Sequence, residues 1–259
     1  MNSIYDYPAY YEVAFSFRDI RREVDTLERC MSLFSRIPVH TMLELGCGPA
    51  PHMPELMRRG YEYIGIDLNQ KMLDFASARA VHAGFSPTLL RRDMVQFTLA
   101  RQVDFVFILL GSLYAANAAE LSSHFESVAA TLRPGGIYFL DWCVQFTRSS
   151  EDSGSWEIKQ NQLRVKTSYT RRAIDAADHI FEEVIRLKVN DGDNELELEE
   201  RNTKRAIYPQ EFLFLTETMG LFEFMGWRNN WNLDEPLDER GAIPHDKRIE
   251  RPIVVIRRI

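Results

Sequence analysis

The chain has 259 residues, 45% hydrophobic and 27% charged, a composition that argues against a disordered chain and suits one large core with at most a small appendage. Its formal net charge of -7 argues against a general basic surface that neutralises nucleic-acid phosphates. The pairs Arg58-Arg59, Arg91-Arg92 and Arg171-Arg172 are short and separated, and read as solvated edges of elements. Cys30, Cys47 and Cys143 lie far apart without metal-ligand spacing, so neither a disulfide framework nor a metal site is expected, and a reducing cytoplasm fits. No basic leader feeds an apolar run, and no segment approaches bilayer length, so neither export nor a membrane partner is expected.

Apolar positions Ile20, Val24, Leu27, Met31 and Phe34 recur at helical spacing and predict an amphipathic helix over residues 19–37, stopped by Pro38. Residues 41–45 form a short apolar run, a strand, leading into the tight turn Gly46-Cys47-Gly48-Pro49-Ala50. A helix over 52–59 ends at Gly60, a strand over 61–66 reaches Asp67, and a helix over 69–83 is closed by Gly84. A brief strand, 86–91, reaches Asp93; 104–110 is strongly apolar; 118–132 is helical; and Arg133-Pro134-Gly135-Gly136 is a turn into a strand over 137–142. Short apolar strands alternating with helices predict a parallel sheet covered on both faces, with ligands held beyond the carboxyl ends of its strands.

The pattern changes after Trp142. Residues 149–155 are polar and turn-rich, and 156–202 alternate with a period of two, with Asn190-Asp191-Gly192-Asp193-Asn194 as a hairpin signal. This block reads as an antiparallel sheet inserted into the α/β domain, serving as an extra wall, a substrate cover or a homodimer contact. A helix over 209–219 and strands over 222–227 and 252–257 then close the chain as the antiparallel edge of the main sheet. The stretch from 228 to 251 between those strands, rich in Asn, Asp and Pro, reads as a mobile loop.

Gly46 and Gly48 let the backbone turn with no side chain between it and a ligand. Asp67, nineteen residues beyond Gly48, ends the second strand where a carboxylate accepts both ribose hydroxyls. A dinucleotide would suit that spacing too, but Glu44 immediately before the turn opposes a pyrophosphate and suits a ligand with a positive amino group. A partly buried acid held by backbone donors is the alternative reading of Glu44.

The segment Leu43-Glu44-Leu45-Gly46-Cys47-Gly48-Pro49-Ala50 resembles the first motif of the class I S-adenosylmethionine-dependent methyltransferases. The resemblance continues through Gly65-Ile66-Asp67-Leu68-Asn69, Arg92-Asp93-Met94 and Leu132-Arg133-Pro134-Gly135-Gly136, and covers residues 40 to 142. One departure is Ala50, where many members have a third glycine. The resemblance implies an α/β fold: a Rossmann-like, mostly parallel seven-stranded sheet with helices on both faces and an antiparallel β insertion. It divides the chain into a lid helix with the cofactor-binding core (1–143), the insertion (144–205) and the completion of the core (206–259).

By that resemblance the cofactor is S-adenosyl-L-methionine. Glu44 and the backbone at Gly46, Cys47 and Gly48 would handle its methionine portion, with carbonyls from Leu109 to Gly111 on the ammonium. Asp67 would take the ribose, Leu68 and Met72 would flank the adenine, Asp93 would accept from its amino group, and Met94 would lie along the ring. The aromatic N-terminus, Tyr5 to Phe17, resembles members whose tyrosine folds over the cofactor, with Tyr11 the best match. The order of elements further resembles sugar N-methyltransferases and glycine N-methyltransferases.

Methyl transfer from an activated sulfonium needs mainly alignment of a nucleophile. The residues expected to border a small-molecule acceptor are Tyr11 and Tyr114, as positioning groups, with Asn117, Trp142 and Arg228 as substrate contacts. No general base is assigned: His52 is read as facing the first long helix, and His179 falls in the insertion. Alternatives are a noncatalytic cofactor-binding or dimerisation protein on the same fold, a nicotinamide-dependent oxidoreductase, or a protein methyltransferase.

Overall fold

The computed structural model describes residues 2–147, 149–192, 194–237 and 249–259. After a 3-10 turn at Ile4–Asp6 and helix α1 (Pro8–Ala14), the amphipathic pattern forms α2 (Ile20–Phe34), whose first turn is capped by Asp19 accepting from Arg22 N at 3.1 Å. The helix ends three residues before the predicted 37. Ser35 turns into the extended region and Arg36 N–H donates to Gly135 O at 2.9 Å, so tertiary pairing, together with the restraint that Pro38 puts on Ile37, stops it early.

The α/β alternation follows as expected: β1 (Thr41–Leu45), α3 (Met53–Arg58), β2 (Glu62–Asp67), α4 (Gln70–His82), β3 (Thr88–Arg91), β4 (Val103–Ile108), α5 (Ala118–Thr131) and β5 (Leu132–Asp141). The expected turn Arg133-Pro134-Gly135-Gly136 lies inside β5, because Leu132 already pairs with Val103 and a register shift opposite β4 absorbs the extra residues. The chain returns through α6 (Pro209–Met219), β10 (Phe222–Asn229) and β11 (Pro252–Arg258). Residues 238–248 of the expected mobile loop lie outside the described residues.

These strands make one seven-stranded sheet in the order β10-β11-β5-β4-β1-β2-β3. Only β11 runs against the rest: it is antiparallel to β5, and β10 is antiparallel to β11, so the edge strand β10 regains the common direction. Helices cover both faces. Leu43, Leu45, Val106, Ile108 and Leu140 pack with Phe125 of α5 and Phe212 of α6, while Met42, Phe105, Phe107 and Phe139 pack with Leu27 of α2, Leu56 of α3 and Leu73 of α4. Strand periodicity places Glu44 on the same side as Met42, toward α2 and α3. Chain order reverses between β1 and β4, and this switch point opens a crevice at their carboxyl ends.

The insertion is a separate antiparallel sheet of β6 (Glu151–Gln160), β7 (Leu163–Asp175), β8 (Ile180–Asp191) and β9 (Asn194–Arg205). Residues 151–155, expected as turn, are strand instead, since a sheet edge tolerates Ser, Gly and Asp and each of them pairs with β7. The predicted hairpin is present, with Asp191 opposite Asn194. One face is a charged ladder that includes Arg186–Glu199 at 2.5 Å and Lys188–Glu197 at 2.8 Å. The other packs Val165, Leu187, Val189 and Leu198 on Ile4, Val13 and Ala14 of the N-terminus. Asn2 bridges Leu198, Ser3 bonds to Glu200, and Arg79 of α4 pairs with Glu12, so the N-terminal segment is fixed between insertion and main sheet.

Candidate functional site

Two adjoining cavities open at the switch point, of about 210 Å³ and 440 Å³. They share Tyr11, Gly46, Gly48 and Ser112 as walls. Together they fall within the roughly 300–1,000 Å³ of small-molecule sites. A surface hollow of about 500 Å³ on the insertion, around Arg171, Arg172 and Glu182, shares no lining residue with them.

The bend after β1 is built by glycines in the left-handed region, Gly46 at φ +63 and Gly48 at φ +53. Met94 closes down on it: a Cβ on Gly46 would lie 3.0 Å from the Met94 methyl carbon. Ala50 adopts φ +48, so the turn keeps its left-handed shape with alanine where the motif it resembles often has a third glycine. Asp67 ends β2 beside this bend. Its Oδ2 accepts from Gly48 N at 2.8 Å and its Oδ1 from Asn69 N at 2.8 Å. Burial raises its pKa, against the lowering effect of these backbone donors, with a further upward push from Glu44.

Glu44, 4% exposed, lines the smaller cavity. Its Oε2 accepts from the Tyr63 hydroxyl at 2.5 Å, and its Oε1 lies 3.3 Å from His52 Nδ1. On the far side His52 Nε2 is 2.8 Å from Glu23 Oε2. Burial works to lower the His52 pKa, but Glu44 and Glu23 outweigh it and the net direction is up. Glu23 is held at about 2: burial pushes it up, and the bonds from His52 and Arg18 more than reverse this. Arg251 extends the chain of charges, reaching Glu23 at 3.7 Å and gripping Asp141 through Nε at 2.8 Å and Nη2 at 2.6 Å. Asp141 in turn accepts from Leu110 N at 2.9 Å, and its carbonyl accepts from Gly111 N at 3.0 Å. One buried network therefore fixes both Glu44 and the loop after β4.

A second buried relay sets the Asp93-Met94 turn. Tyr138 Oη lies 2.8 Å from His124 Nε2, and His124 Nδ1 lies 2.7 Å from Met94 O. Burial depresses the His124 pKa to about 4, so the ring is neutral at physiological pH and its one N–H donates to the carbonyl.

Every candidate named for the cofactor lines one cavity or the other. Glu44, Cys47 and Leu109 border the smaller; Asp67, Leu68, Met72, Asp93 and Met94 border the larger; Gly46 and Gly48 border both. Tyr11 sits between the two and Tyr114 lines the larger. Burial raises both phenols, Tyr11 to about 12. The substrate candidates are a different matter. Asn117 is the N-cap of α5, accepting from Glu120 N at 2.9 Å, and Trp142 is exposed and borders neither cavity. Arg228 belongs to β10 rather than a loop, and its guanidinium donates to the carbonyls of Leu233 and Trp227, each at 2.8 Å. The Asn117 and Arg228 side chains thus bond to nearby backbone, and none of the three residues borders either cavity. His52 does border α2, as expected, but it also touches Glu44.

Sequence reasoning missed Arg18 and Ser112 in the smaller cavity, and Ser3, Glu200 and Asn202 in the larger, where Tyr5 of the aromatic N-terminus also lies. For β9 a signal existed. Its inward positions read Leu196, Leu198, then Glu200, Asn202: apolar over the N-terminal packing, polar where the strand passes the cavity.

Among the described residues no group of three or more His, Cys, Asp and Glu could hold a metal ion, and no helix is long and apolar enough to cross a membrane.

Residues 42–136 match the family model described as a methyltransferase domain. The Bacillus subtilis (strain 168) protein YqeM, whose name assigns it provisionally as a methyltransferase, is 35% identical over 103 residues, 39% of this chain and 41% of that protein. The chain thus spans about two fifths of that relative's length. Among solved structures, an S-adenosylmethionine-dependent methyltransferase from Clostridium acetobutylicum ATCC 824 superposes with a TM-score of 0.76 at 17% identity, covering 96% of each chain. The amino pentose methyltransferase CalS10 from Micromonospora echinaspora, solved with S-adenosylmethionine bound, superposes with a TM-score of 0.72 at 19% identity, over 98% of this chain and 96% of that one. Residues 42–136 thus match a methyltransferase domain, and the chain as a whole shares the fold of S-adenosylmethionine-dependent methyltransferases of known structure, with the glycine bend and the acids of β1 and β2 at the switch point of that fold.

Proposed function

We propose that the protein moves a methyl group from S-adenosyl-L-methionine to a nitrogen or oxygen of a small-molecule acceptor. The observation that carries this reading is the opening of Glu44, Gly46, Gly48 and Asp67 onto one pair of adjoining cavities. That donor set fits an amino-acid-bearing nucleoside without phosphates: a carboxylate for the ammonium, a side-chain-free bend, and a carboxylate for the ribose. The likeness to an amino pentose methyltransferase adds support for a metabolite acceptor.

When bound, the cofactor supplies an activated methyl group on a sulfonium. Asp67 would hold the ribose hydroxyls with the lone pairs that Gly48 and Asn69 leave open, and Glu44 with the carbonyls after β4 would hold the ammonium. Leu68, Met72, Met94 and Asp93 would hold the adenine. Tyr11 and Tyr114 carry no charge at neutral pH, since burial raises both. They therefore orient the acceptor by hydrogen bonds and exclude water rather than remove its proton. A neutral amine needs no base. The insertion acts as the cover of the acceptor side, because its inner face supplies Glu200 and Asn202 to the larger cavity while its outer face is the charged ladder. The three cysteines, all buried and free, suit a reducing cytoplasm.

The test is calorimetric titration with S-adenosylmethionine and with NADH, followed by measurement of S-adenosylhomocysteine formation with a panel of amines and amino sugars. S-adenosylmethionine binding and turnover of at least one acceptor are expected. Preference for NADH would overturn the cofactor assignment, and binding without turnover on any acceptor would favour a noncatalytic role.

A further inference from the structure

Four acids near the cavity end of β8 and β9 are each matched by a cation: Glu182 by Arg201 at 2.8 Å, Glu183 by Lys204 at 3.0 Å, Glu197 by Lys188 at 2.8 Å and Glu199 by Arg186 at 2.5 Å. Their neighbour Glu200 is not. Its Oε2 accepts from the Ser3 hydroxyl, and its Oε1 has no partner among the described residues. Glu200 is also the one of these five acids that lines the larger cavity. Two residues on, Asn202 shares the inner face of β9 and lines the same cavity, and its side-chain amide bonds to none of the described residues. A half-buried carboxylate and a half-buried amide with open acceptors are costly to keep unless a ligand uses them.

The cavity as a whole favours positive charge. Asp67, Asp93 and Glu200 line it, and Arg92 is its one basic side chain among the described residues. Arg92 is exposed, and its Nη1 donates to the Arg91 carbonyl at 2.9 Å. S-adenosylmethionine carries one net positive charge, so the lining stays negative with the cofactor in place, and Glu200 is the acid that the cofactor leaves unused. A phosphate on the acceptor would be repelled by that charge, more strongly here than in water. An ammonium would be attracted. The rings of Tyr5, Tyr11 and Tyr114 on the same walls offer it aromatic faces, with Tyr5 and Tyr11 tilted at 54° and 5.8 Å apart.

We propose that the acceptor is a small, phosphate-free amine that docks as a cation, with its ammonium on Glu200 Oε1 and the Asn202 amide oxygen. An ammonium held this way has no lone pair, so it anchors the molecule while the methyl goes to another atom of it. Diamines, amino alcohols and amino sugars share that chemistry. The inference rests on the cavity being the methyl-transfer site.

The experiment is calorimetric titration of the S-adenosylhomocysteine-loaded enzyme with putrescine and glucosamine as cationic probes, with the phosphate ester of glucosamine, and with uncharged N-acetylglucosamine. The wild type should bind at least one cationic probe about ten- to a hundredfold tighter than either of the other two, the scale of a charge-assisted hydrogen-bonded pair. Glu200→Gln keeps the shape and an acceptor for Ser3, and should bring that ratio to about one with S-adenosylhomocysteine affinity unchanged. Asn202→Asp adds a second carboxylate, should raise the ratio, and serves if the glutamine variant does not fold. Equal or tighter binding of the phosphate ester, a preference that survives in Glu200→Gln or fails to rise in Asn202→Asp, or no saturable binding of either cation at millimolar concentration would overturn the anchor, while bound S-adenosylhomocysteine would keep the cofactor reading. If the wild type did not bind S-adenosylhomocysteine, both readings would fall together.

Discussion

The main-chain N–H of Gly48 donates to Oδ2 of Asp67 at 2.8 Å, so the bend after β1 and the last residue of β2 form one unit. The carboxylate therefore has two duties. It holds the glycine bend in shape, and it keeps lone pairs for a ligand.

Replacing Asp67 separates those duties. Asp67→Asn keeps the size and one acceptor oxygen but places an amide against backbone donors, and S-adenosylmethionine affinity should fall by about tenfold to a hundredfold, as for loss of hydrogen bonds to a charged acceptor. Asp67→Ala should remove measurable binding and also lower folding stability by about 1–3 kcal/mol, because the Gly48 and Asn69 N–H groups lose their acceptor. Calorimetry and urea denaturation check the two effects. Unchanged affinity in Asp67→Asn would remove the ribose from this position.

Gly46→Ala should damage the site more than the fold. The substitution forces an L side chain to φ +63, worth about 1–2 kcal/mol, and sets its methyl 3.0 Å from the end of Met94. Met94 is flexible and yields toward the larger cavity, so the expected result is a protein that folds with reduced stability and binds cofactor at least tenfold more weakly. A thermal melt beside a titration measures both, and full affinity would show that the bend does not approach the ligand.

Stability should peak near pH 6.5. Glu23 is lowered from 4.5 to about 2, so its contribution, up to about 3 kcal/mol, is complete above 4.5 and is lost as pH falls through 2. His124 is lowered from 6.5 to about 4, so the unfolded chain takes up a proton first and stability also falls as pH drops from 6.5 toward 4. His52 is raised above 6.5, so its stabilisation is complete below that value and is lost as pH climbs through its folded pKa. Melting temperature against pH should therefore rise to about 6.5 and then decline. His52→Gln should flatten the alkaline side, and His124→Gln the acid side between 4 and 6.5. A profile unaltered on those sides would refute the assignment of either histidine.

Asp141 is fully buried and receives Arg251 and Leu110 N–H together. Asp141→Ala leaves both without their partner and should cost about 3 kcal/mol in urea denaturation, at the lower end for breaking a buried pair because Arg251 retains some exposure. It should also weaken cofactor binding, since the loop that follows β4 loses its anchor. Loss of stability with wild-type affinity would show that this loop does not contact the ligand.

Much of this was legible in the chain, for reasons that differ by element. The strands ending in Glu44-Leu45 and Asp67 were readable because a buried parallel strand leaves a continuous apolar run that ends where the chemistry begins. α6 was predicted over its observed residues because Pro209 and Gly220 punctuate both ends. Residues 151–155 were misread because an edge strand has half its backbone in water and imposes little on composition. The site divides the same way. Cofactor candidates follow from local order along one chain segment, whereas Arg18 reaches the smaller cavity by long-range packing that no local pattern encodes, and Glu200 and Asn202 are marked only by the change from apolar to polar along the inner face of β9. Arg228, read as the start of a loop, lies instead in β10, where its guanidinium donates to the carbonyls of Leu233 and Trp227.

The charged ladder on the outer face of the insertion leaves its inner face as the part of the sheet that meets the larger cavity. Inner-facing residues of β9 can then change without disturbing the glycine bend or the acid that ends β2, both of which hang from the other sheet. Such a division makes the second sheet the natural place to graft altered selectivity onto an unchanged engine.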